Sequence, residues 1–350
     1  MRSEIYEIEL IPGLEAFVER ELTTLLGRGG FRLLAYPRDG RLTIRFRGPE
    51  ERLSTLTTAV AVHAVHTFNI PRPKALLGHQ HLTRLFAVIQ SVVGSEPEGT
   101  FRTFKISAAG SDSAVFRRLA DEIQDKCALT ESTASAHLVL AVRRAVTGSG
   151  WEITIRLTSM PLSARSWRVC NRPDALNATI AKAMIMLAAP TDSGCFVNLG
   201  CGSGTLVAER LLQQPSSGAL GFDIDPDAIG CAERNLSAAK VRDRAMLAVG
   251  DLRNVPMADQ SVDTIVADLP FGMVKDTDVG LSGLYDGALS ESVRLLGSGD
   301  PFVVMTARRK LFEETLERFQ GQMERTAEVP LSVSFKQGYL KPSIYMLRRL

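Results

Sequence analysis

The chain has 350 residues, of which 45% are hydrophobic and 23% charged, as expected for a folded protein of two or three domains. No run of about 18 apolar residues occurs, and acids stand where a secretory signal would be apolar, which argues against a membrane protein and favours the cytoplasm. The net charge of +2 is uneven, because residues 1–175 carry 23 basic and 18 acidic side chains and the remainder 18 and 21. The N-terminal half is therefore the part expected to face a polyanion.

Residues 1–70 are predicted to form a ferredoxin-like domain. The predicted elements are a strand at 6–10, a helix at 14–26, hairpin strands at 31–36 and 41–46, and a second helix at about 50–62. With a final strand before residue 70, these elements have the β-α-β-β-α-β order of the split β-α-β arrangement. The hairpin and its surroundings are rich in arginine, at Arg32, Arg38, Arg41, Arg45, Arg47 and Arg52. These side chains indicate either a solvated face or a nucleic-acid footprint.

Residues 71–160 are predicted to form a second small α/β unit, after Pro71 and Pro73 interrupt the pattern. Its predicted elements are helices at 79–93 and 113–127 and strands at 101–107, 138–146 and 151–157. The unit has no acid–base constellation of its own, so we expect it to bind rather than to catalyse.

Residues 161–190 are predicted to be a linker followed by a helix at 175–189. The linker PLSARSWRVCNRP places Arg165, Arg168 and Arg172 around Trp167. Arginine beside an aromatic ring suits phosphate contact and base stacking, and it suits a clamp between domains equally well.

Residues 191–350 alternate strand and helix patterns, which predicts a doubly wound parallel sheet. The strands are expected at 195–199, 219–223, 245–249, 262–267, 301–306, 329–335 and 343–348. The last two are expected to pair as an antiparallel hairpin at the sheet edge. The fold class is therefore α/β, with a seven-stranded C-terminal sheet behind the two smaller domains.

The first strand of that sheet runs directly into a glycine loop, VNLGCGSGT at 197–205. Glycine is required where the backbone takes positive φ or approaches a ligand closely. The spacing of Gly200, Gly202 and Gly204 differs from the dinucleotide fingerprint and from a P-loop. By itself the loop fits a ligand site or a plain strand-to-helix turn.

Three acids follow at the carboxyl ends of successive predicted strands, where open α/β sheets bind ligands. Asp223 ends the second strand, about 20 residues past the loop, where a carboxylate can accept from ribose hydroxyls. Asp251 ends the third strand, where it can accept from an adenine amino group, and Asp268 ends the fourth. Three acids in register with a glycine loop favour a nucleoside site.

Four motifs together resemble the class I S-adenosylmethionine-dependent methyltransferases: NLGCGSGT at 198–205, GFDID at 221–225, GDL at 250–252 and DLPFG at 268–272. DLPFG is similar to the (D/N)-x-P-(F/Y) signature of enzymes that methylate exocyclic amino nitrogens. The whole chain resembles the THUMP-domain tRNA guanine-N2 methyltransferases, in which a ferredoxin-like piece and a THUMP domain precede the catalytic domain. The resemblance thus assigns 71–160 as THUMP-like.

The resemblance implies S-adenosyl-L-methionine as the cofactor. The residues it places around the cofactor are Asn198, Gly200, Gly202, Gly204, Thr205, Asp223, Ile224, Asp251, Leu252 and Asp268. The glycines would pack against the methionine portion, Asp223 would hold the ribose and Asp251 the adenine. Relatives often have an acid and a proline where Asn198 and Leu199 stand, so which side chain meets the methionine amine is left open.

The catalytic group is expected in Asp268, Leu269, Pro270 and Phe271. Asp268 and the Leu269 carbonyl can each accept a hydrogen from the acceptor amine and stabilise the positive charge that develops on attack. Pro270 would stiffen the turn, and Phe271 would offer a face for the base to stack on.

The expected activity is methyl transfer to the N2 of a guanosine in tRNA, in the acceptor-stem region. The alternatives are an rRNA guanine-N2 or adenine-N6 methyltransferase of the same fold, and a catalytically degenerate RNA-binding protein. We expect a cytoplasmic monomer that binds tRNA and no membrane, and leave open an activating subunit.

The cysteines and histidines predict neither a disulfide framework nor a metal site. The five cysteines are widely spaced and contain no C-x-x-C pair: Cys127, Cys170, Cys195, Cys201 and Cys231. We therefore expect small buried thiols. His79 and His81 have no acids or cysteines nearby, so they predict no metal centre.

Overall fold

The structure is a computed structural model that describes residues 4–38, 40–132, 134–146, 149–173, 175–270, 278–335 and 338–350, without the side chains of 35–38, 278–279 and 335. The chain divides into two compact units. The N-terminal unit holds the residues up to Leu10 together with Val18–Ser163, and the C-terminal unit holds Ile11–Phe17 together with Ala164–Leu350. No helix among the described residues combines the length and apolar content needed to cross a bilayer.

The first 163 residues contain eight strands in one sheet. The elements are β1 (Ile5–Glu9), α1 (Glu15–Leu26), β2 (Phe31–Arg38), β3 (Arg41–Phe46), β4 (Ala61–Phe68), α2 (His79–Val93), β5 (Thr103–Ala108), α3 (Ala114–Cys127), β6 (Thr130–Glu131), β7 (Leu138–Arg144) and β8 (Trp151–Arg156). The strand order is β2-β3-β1-β4-β8-β7-β5-β6. One face carries the apolar core, because inward residues alternate along the strands with polar ones.

The split β-α-β arrangement expected for the first strands is confirmed, since β1 pairs antiparallel with both β3 and β4. The second helix expected at 50–62 is wrong, because only a 3₁₀ turn forms there, over Glu50–Thr55. The Glu21 carboxylate accepts from the backbone N–H groups of Thr57 and Thr58, at 2.8 Å each, and from both threonine hydroxyls. Those N–H groups are thereby satisfied by a side chain instead of by a helix.

The boundary expected at residue 70 falls inside one continuous sheet. Strands β4 and β8 are hydrogen-bonded over His63 to Phe68, so the predicted ferredoxin-like and THUMP-like pieces share a ladder and a core. The compact units divide near residue 163 instead. The assignment of 71–160 as a THUMP-like domain stays a prediction.

The C-terminal unit contains a seven-stranded sheet, as the sequence predicts. Its elements are α4 (Ala178–Ala188), β9 (Phe196–Leu199), α5 (Thr205–Gln213), β10 (Ala219–Asp223), α6 (Pro226–Ala238), β11 (Ala245–Val249), β12 (Thr264–Asp268), α7 (Asp278–Leu295), β13 (Pro301–Thr306), α8 (Arg309–Leu316), β14 (Met323–Pro330), β15 (Val333–Phe335), β16 (Gly338–Leu340) and β17 (Ser343–Arg349). The order is β11-β10-β9-β12-β13-β17-β14, and β17 runs antiparallel to both of its neighbours. The α/β fold class with a doubly wound sheet is confirmed.

The end of the sheet differs from the expectation in two respects. Strand β14 begins at Met323 rather than at 329, and β17 lies inside the sheet between β13 and β14. The expected strand at 329–335 is divided between β14 and β15, which pairs with β16 in a separate hairpin. Strand β14 is the edge strand and largely polar, as edge strands commonly are, so it gives no alternating apolar pattern to read.

Candidate functional site

The three main motifs meet at the carboxyl ends of adjacent parallel strands. Leu199 at the end of β9 is paired with Phe222 of β10 on one side and with Ala267 of β12 on the other. The next residue along each strand is Gly200, Asp223 and Asp268 respectively. Because the strand order reverses direction at β9, this is the topological switch point where open α/β sheets bind ligands.

All three loop glycines adopt left-handed backbone conformations. Their φ angles are 65°, 53° and 78° at Gly200, Gly202 and Gly204. A Cβ on Gly204 would meet the Cβ of Ala232 at 2.9 Å, so the approach of α5 to α6 also requires glycine there. A Cβ on Gly202 would meet no atom within 4 Å, so the loop is open at that residue. This opening leaves room for a ligand against the backbone.

The Asp223 carboxylate holds the glycine loop in place. Gly202 N donates to Asp223 Oδ2 at 2.7 Å, and Asp225 N donates to Asp223 Oδ1 at 3.0 Å. Each carboxylate oxygen can accept a second hydrogen bond, so Asp223 can hold the loop and still accept from ligand hydroxyls. Its function as a loop anchor was not predicted from the sequence, because 21 residues separate the partners.

Asn198 provides a buried acceptor beside the loop. Its side chain is fully buried, and Nδ2 donates to the carbonyls of Leu199 at 3.3 Å and Val266 at 3.2 Å. Among the described residues Oδ1 has no hydrogen-bond partner. Burying an acceptor without a donor costs about 1–3 kcal/mol. A ligand that brings a donor to this atom would remove that cost.

Asp251, the residue predicted to bind the adenine, has less capacity than Asp223 to accept a further hydrogen bond. Both oxygens of Asp251 accept from the Arg253 side chain, at 2.6–3.0 Å, and Oδ1 also accepts from Arg253 N. The pKa of Asp251 is lowered chiefly by these bonds to Arg253. Leu252 Cδ2 lies 3.7 Å from where a Cβ of Gly200 would be, and Ile224 is 67% exposed. Leu252 therefore lies against the loop, and Ile224, the residue after Asp223, presents an exposed apolar side chain.

Three of the predicted catalytic residues lie at the end of β12, in the segment Asp268–Pro270, which we call the acceptor turn after its predicted role. Asp268 is partly buried and Leu269 fully buried, and Leu269 N donates to Met305 O of β13 at 3.0 Å. Pro270 is exposed, and its carbonyl accepts from the Tyr285 hydroxyl at 2.7 Å. Phe271, the predicted stacking residue, lies outside the described residues. Tyr285 was missed by the sequence reasoning because it lies inside an ordinary helical pattern.

The linker arginines bind within the C-terminal unit. Arg165 pairs with Glu209 at 2.7 Å, with both side chains at least nine-tenths buried. Arg168 donates to the Thr205 hydroxyl at 2.8 Å, so Thr205, a predicted cofactor residue, already holds the linker. These contacts use the two arginines within the unit and argue against phosphate contact, whereas the clamp between domains stays a prediction.

A further ion pair and the burial of Trp167 complete the packing of the linker. Arg172 pairs with Asp225 at 2.8 Å, which adds a link to the first turn of α6. Trp167 is buried, so its ring is not available for stacking with a base. The linker is thus fixed to α5, to the N-cap residue of α6 and to Thr205 at the end of the glycine loop.

The expectation that all cysteines are free is wrong for two of them. Cys170 of the linker and Cys231 of α6 form a disulfide with their Cα atoms 5.5 Å apart. Asn235, one turn further along α6, accepts from Cys170 N at 2.8 Å and donates to Cys170 O and Ser203 O at 3.0 Å each. The pair is 61 residues apart, so spacing could not reveal it. Cys127, Cys195 and Cys201 remain free, and burial raises the pKa of Cys201 to about 12.

Reduction of the Cys170–Cys231 disulfide is expected to lower the free energy of unfolding by about 3 kcal/mol, because the bond closes a long loop in the unfolded chain. Urea unfolding with and without dithiothreitol measures the difference. A Cys170→Ser variant serves as the control, since its unfolding curve should not respond to the reductant. Identical curves for the unmutated protein, together with five titratable thiols, would contradict the pairing.

Comparisons with known proteins agree with this architecture. The protein family described as UPF0020, RMKL-like, methyltransferase domain matches residues 165–337. A Bos taurus protein named tRNA (guanine(6)-N(2))-methyltransferase THUMP3 is 26% identical over 189 residues, which is 51% of this chain and 37% of that protein. A Mus musculus protein named U6 snRNA (guanine-N(2))-methyltransferase THUMPD2 is 32% identical over 154 residues, 44% of this chain and 28% of that protein. This chain thus spans less than two-fifths of either relative.

The likeness to a solved structure extends over the whole chain. The crystal structure of TrmN from Thermus thermophilus superposes with a TM-score of 0.73, at 21% identity, and covers 99% of both chains. At this identity the match shows a shared fold. The architecture of both units is therefore one already known from an experimental structure.

Proposed function

We propose that the protein transfers a methyl group from S-adenosyl-L-methionine to the exocyclic N2 of a guanosine in tRNA, on the premise that residues 165–337 match the family described as UPF0020, RMKL-like, methyltransferase domain. One observation carries the proposal: strand pairing places the glycine loop directly between Asp223 and Asp268. A cofactor held by the loop and Asp223 would thereby lie next to the turn that presents the acceptor amine. The names of the relatives support guanine N2 as the acceptor.

The described residues fit the proposed cofactor. Asp223 keeps acceptor capacity for ribose hydroxyls after it has bound the Gly202 amide. The unpartnered Oδ1 of Asn198 is suited to a cationic donor such as the methionine ammonium group. Ile224 and Leu252 offer apolar surface for the adenine ring, whereas Asp251 would have to share its oxygens with Arg253.

The acceptor turn supplies what a guanine amine needs in order to react. This amine is a poor nucleophile because its lone pair is delocalised into the ring, and S-adenosylmethionine supplies a methyl group on a positively charged sulfur. Asp268 and the Leu269 carbonyl would accept the two amine hydrogens and so direct the nitrogen lone pair toward the methyl group. The carboxylate also stabilises the positive charge that develops on nitrogen, and the proton can leave after transfer. Stacking on Phe271 stays a prediction.

The N-terminal unit is proposed to bind the tRNA, in the region of the acceptor stem. Arg32 and Arg45 are directly opposite each other on β2 and β3, and both are exposed. Like charges in opposed positions are unfavourable unless a polyanion neutralises them. Arg41 and Arg47 pair with Glu7 and Glu4, so part of the predicted arginine footprint is used internally. A base in a paired stem would have to be flipped out, at a cost of a few kcal/mol.

The proposal is tested by incubating the protein with labelled S-adenosylmethionine and unmodified tRNA, then identifying the labelled nucleoside by mass spectrometry. The expected product is N2-methylguanosine in tRNA. Parallel incubations with rRNA and with a U6-type snRNA test the other RNA classes. Labelled N6-methyladenosine, or label in another RNA only, would contradict the assignment. A calorimetric titration that detects no binding of S-adenosylmethionine would favour a degenerate RNA-binding protein. A cytoplasmic location and a monomeric state remain predictions.

A further inference from the structure

Tyr285 occupies a core position where packing requires only an aromatic ring, so phenylalanine would fill it equally well. It lies on α7 in the core of the C-terminal unit, fully buried, with its ring edge-on to Phe312 at a centroid distance of 6.0 Å. A phenolic hydroxyl in such a core destabilises the fold unless it is hydrogen-bonded. The partners of this hydroxyl therefore decide whether it stabilises the core.

The hydroxyl is one of four groups that are joined in series by three hydrogen bonds. Arg308 N lies 3.0 Å from Thr306 Oγ1, which lies 2.7 Å from Tyr285 Oη, which lies 2.7 Å from Pro270 O. The direction of each bond is fixed, because a backbone N–H can only donate and a carbonyl can only accept. Tyr285 therefore donates to Pro270 and accepts from Thr306, which accepts from Arg308.

This chain ends on the backbone of the acceptor turn. Pro270 has no N–H, so its carbonyl is the only backbone group through which that residue can be hydrogen-bonded. On the other side of the same turn, Leu269 N is bonded to Met305 O. The two bonds hold both ends of the Leu269–Pro270 segment and thereby set the direction of the Leu269 carbonyl. That carbonyl is one of the two acceptors proposed for the amine.

We propose that Tyr285 is a positioning residue for methyl transfer: through its bond to the Pro270 carbonyl it holds the Asp268–Pro270 turn in the orientation that aims the acceptor amine. The inference rests on the proposed function of that turn. Thr306 acts through Tyr285, because it supplies the hydrogen bond that orients the phenolic proton toward Pro270. Burial raises the pKa of Tyr285 to about 12, with the Asp268 charge contributing, so the hydroxyl keeps its proton under ordinary conditions.

The central test is Tyr285→Phe, which removes the hydroxyl and leaves the ring in the core. We expect kcat to fall about 30-fold, while the KM values for S-adenosylmethionine and RNA change less than about 3-fold. The reason is that misplacement of a reacting group by about 1 Å costs up to about 100-fold in rate without a matching loss of binding. Each variant is measured with whichever RNA acceptor the unmutated protein methylates.

The chain offers a matched control in Tyr345→Phe. Tyr345 is fully buried, contacts the same Phe312 ring at 4.9 Å, and hydrogen-bonds to Glu313 rather than to the acceptor turn. Its variant loses the same hydroxyl from the same core and should keep kcat within about 2-fold of the unmutated value. If the loss of a core hydroxyl affected only the stability of the fold, kcat would fall to a similar extent in both variants.

A pair of variants at Thr306 tests the direction of the chain. Thr306→Ser keeps the hydroxyl and should retain kcat, whereas Thr306→Val removes it and should lower kcat about 5-fold. The double variant Tyr285→Phe with Thr306→Val should be no slower than Tyr285→Phe alone, because the two residues act in series. Additive losses would overturn the coupling.

A readout without turnover tests the position of the turn directly. Hydrogen exchange at the Leu269 amide should become at least about 10-fold faster in Tyr285→Phe and stay unchanged in Tyr345→Phe, since the turn then opens more often. Unchanged exchange at Leu269, or an unchanged kcat in Tyr285→Phe, would overturn the proposal. The RNA assay on the unmutated protein tests the proposed function separately, because it contains no variant.

Discussion

Replacement of Asp268 by alanine is expected to lower kcat about 1000-fold and to change the dissociation constant of S-adenosylmethionine less than about 3-fold. Asp268 ends β12 beside Gly200 and is the only charged side chain in the Asp268–Pro270 turn. A carboxylate that aims the amine and stabilises its developing positive charge contributes chiefly in the transition state, and loss of one such group costs about 100- to 1000-fold. Cofactor binding is proposed to depend instead on the loop, Asp223 and Asn198.

Steady-state kinetics and calorimetric titration together measure this separation of rate from affinity. Asp286→Ala is the matched control, because Asp286 is a half-exposed carboxylate on α7 that pairs with Arg318 at 3.1 Å. Asp268→Asn should lie between the alanine variant and the unmutated protein, since an amide oxygen can still accept one amine hydrogen. A parallel loss of rate and cofactor affinity in Asp268→Ala would contradict the assigned role.

The sequence predicts the framework of this site because each strand carries its own signal. Short apolar runs end at Leu199, Asp223 and Asp268, and a parallel sheet with these strands adjacent must bring their carboxyl ends to one edge. The positive φ angles expected for the glycines follow from the same local reasoning and are confirmed. Local sequence patterns were sufficient to predict which residues meet wherever those residues lie on neighbouring strands.

Long-range partners could not be read from the sequence. Arginines around Trp167 suit phosphate contact and a clamp between domains equally well, and the sequence could not show that Arg165 pairs with Glu209, 44 residues further along the chain. Tyr285 and Thr306 become neighbours of Pro270 only because β12, β13 and α7 pack together. The Cys170–Cys231 disulfide likewise depends on the docking of the linker against α6. In each case the tertiary fold determines the contact.

Replacement of Asp223 by alanine is expected to weaken the binding of S-adenosylmethionine about 500-fold. Each hydrogen bond from a ribose hydroxyl to the carboxylate contributes about 1.5–3 kcal/mol to the binding free energy. The variant also removes the acceptor of the Gly202 amide, which lies at 2.7 Å. The glycine loop would then lose the hydrogen bond that holds Gly202 in place beside the proposed cofactor site. At saturating cofactor kcat should fall much less, because Asp268 and its turn are unchanged. Asp227→Ala, an exposed acid in the first turn of α6, is the control.

A modified ligand separates the two contributions of Asp223. The 2′-deoxy analogue of S-adenosylhomocysteine lacks one hydroxyl that the carboxylate would accept, so the unmutated protein should bind it about 10-fold more weakly than S-adenosylhomocysteine. Asp223→Ala should bind the two ligands almost equally, because the carboxylate acceptor is gone. The affinity for the 2′-deoxy analogue that the variant has lost relative to the unmutated protein then measures the effect of the loosened glycine loop. If the variant discriminates between the two ligands as strongly as the unmutated protein does, Asp223 holds the loop but not the ribose.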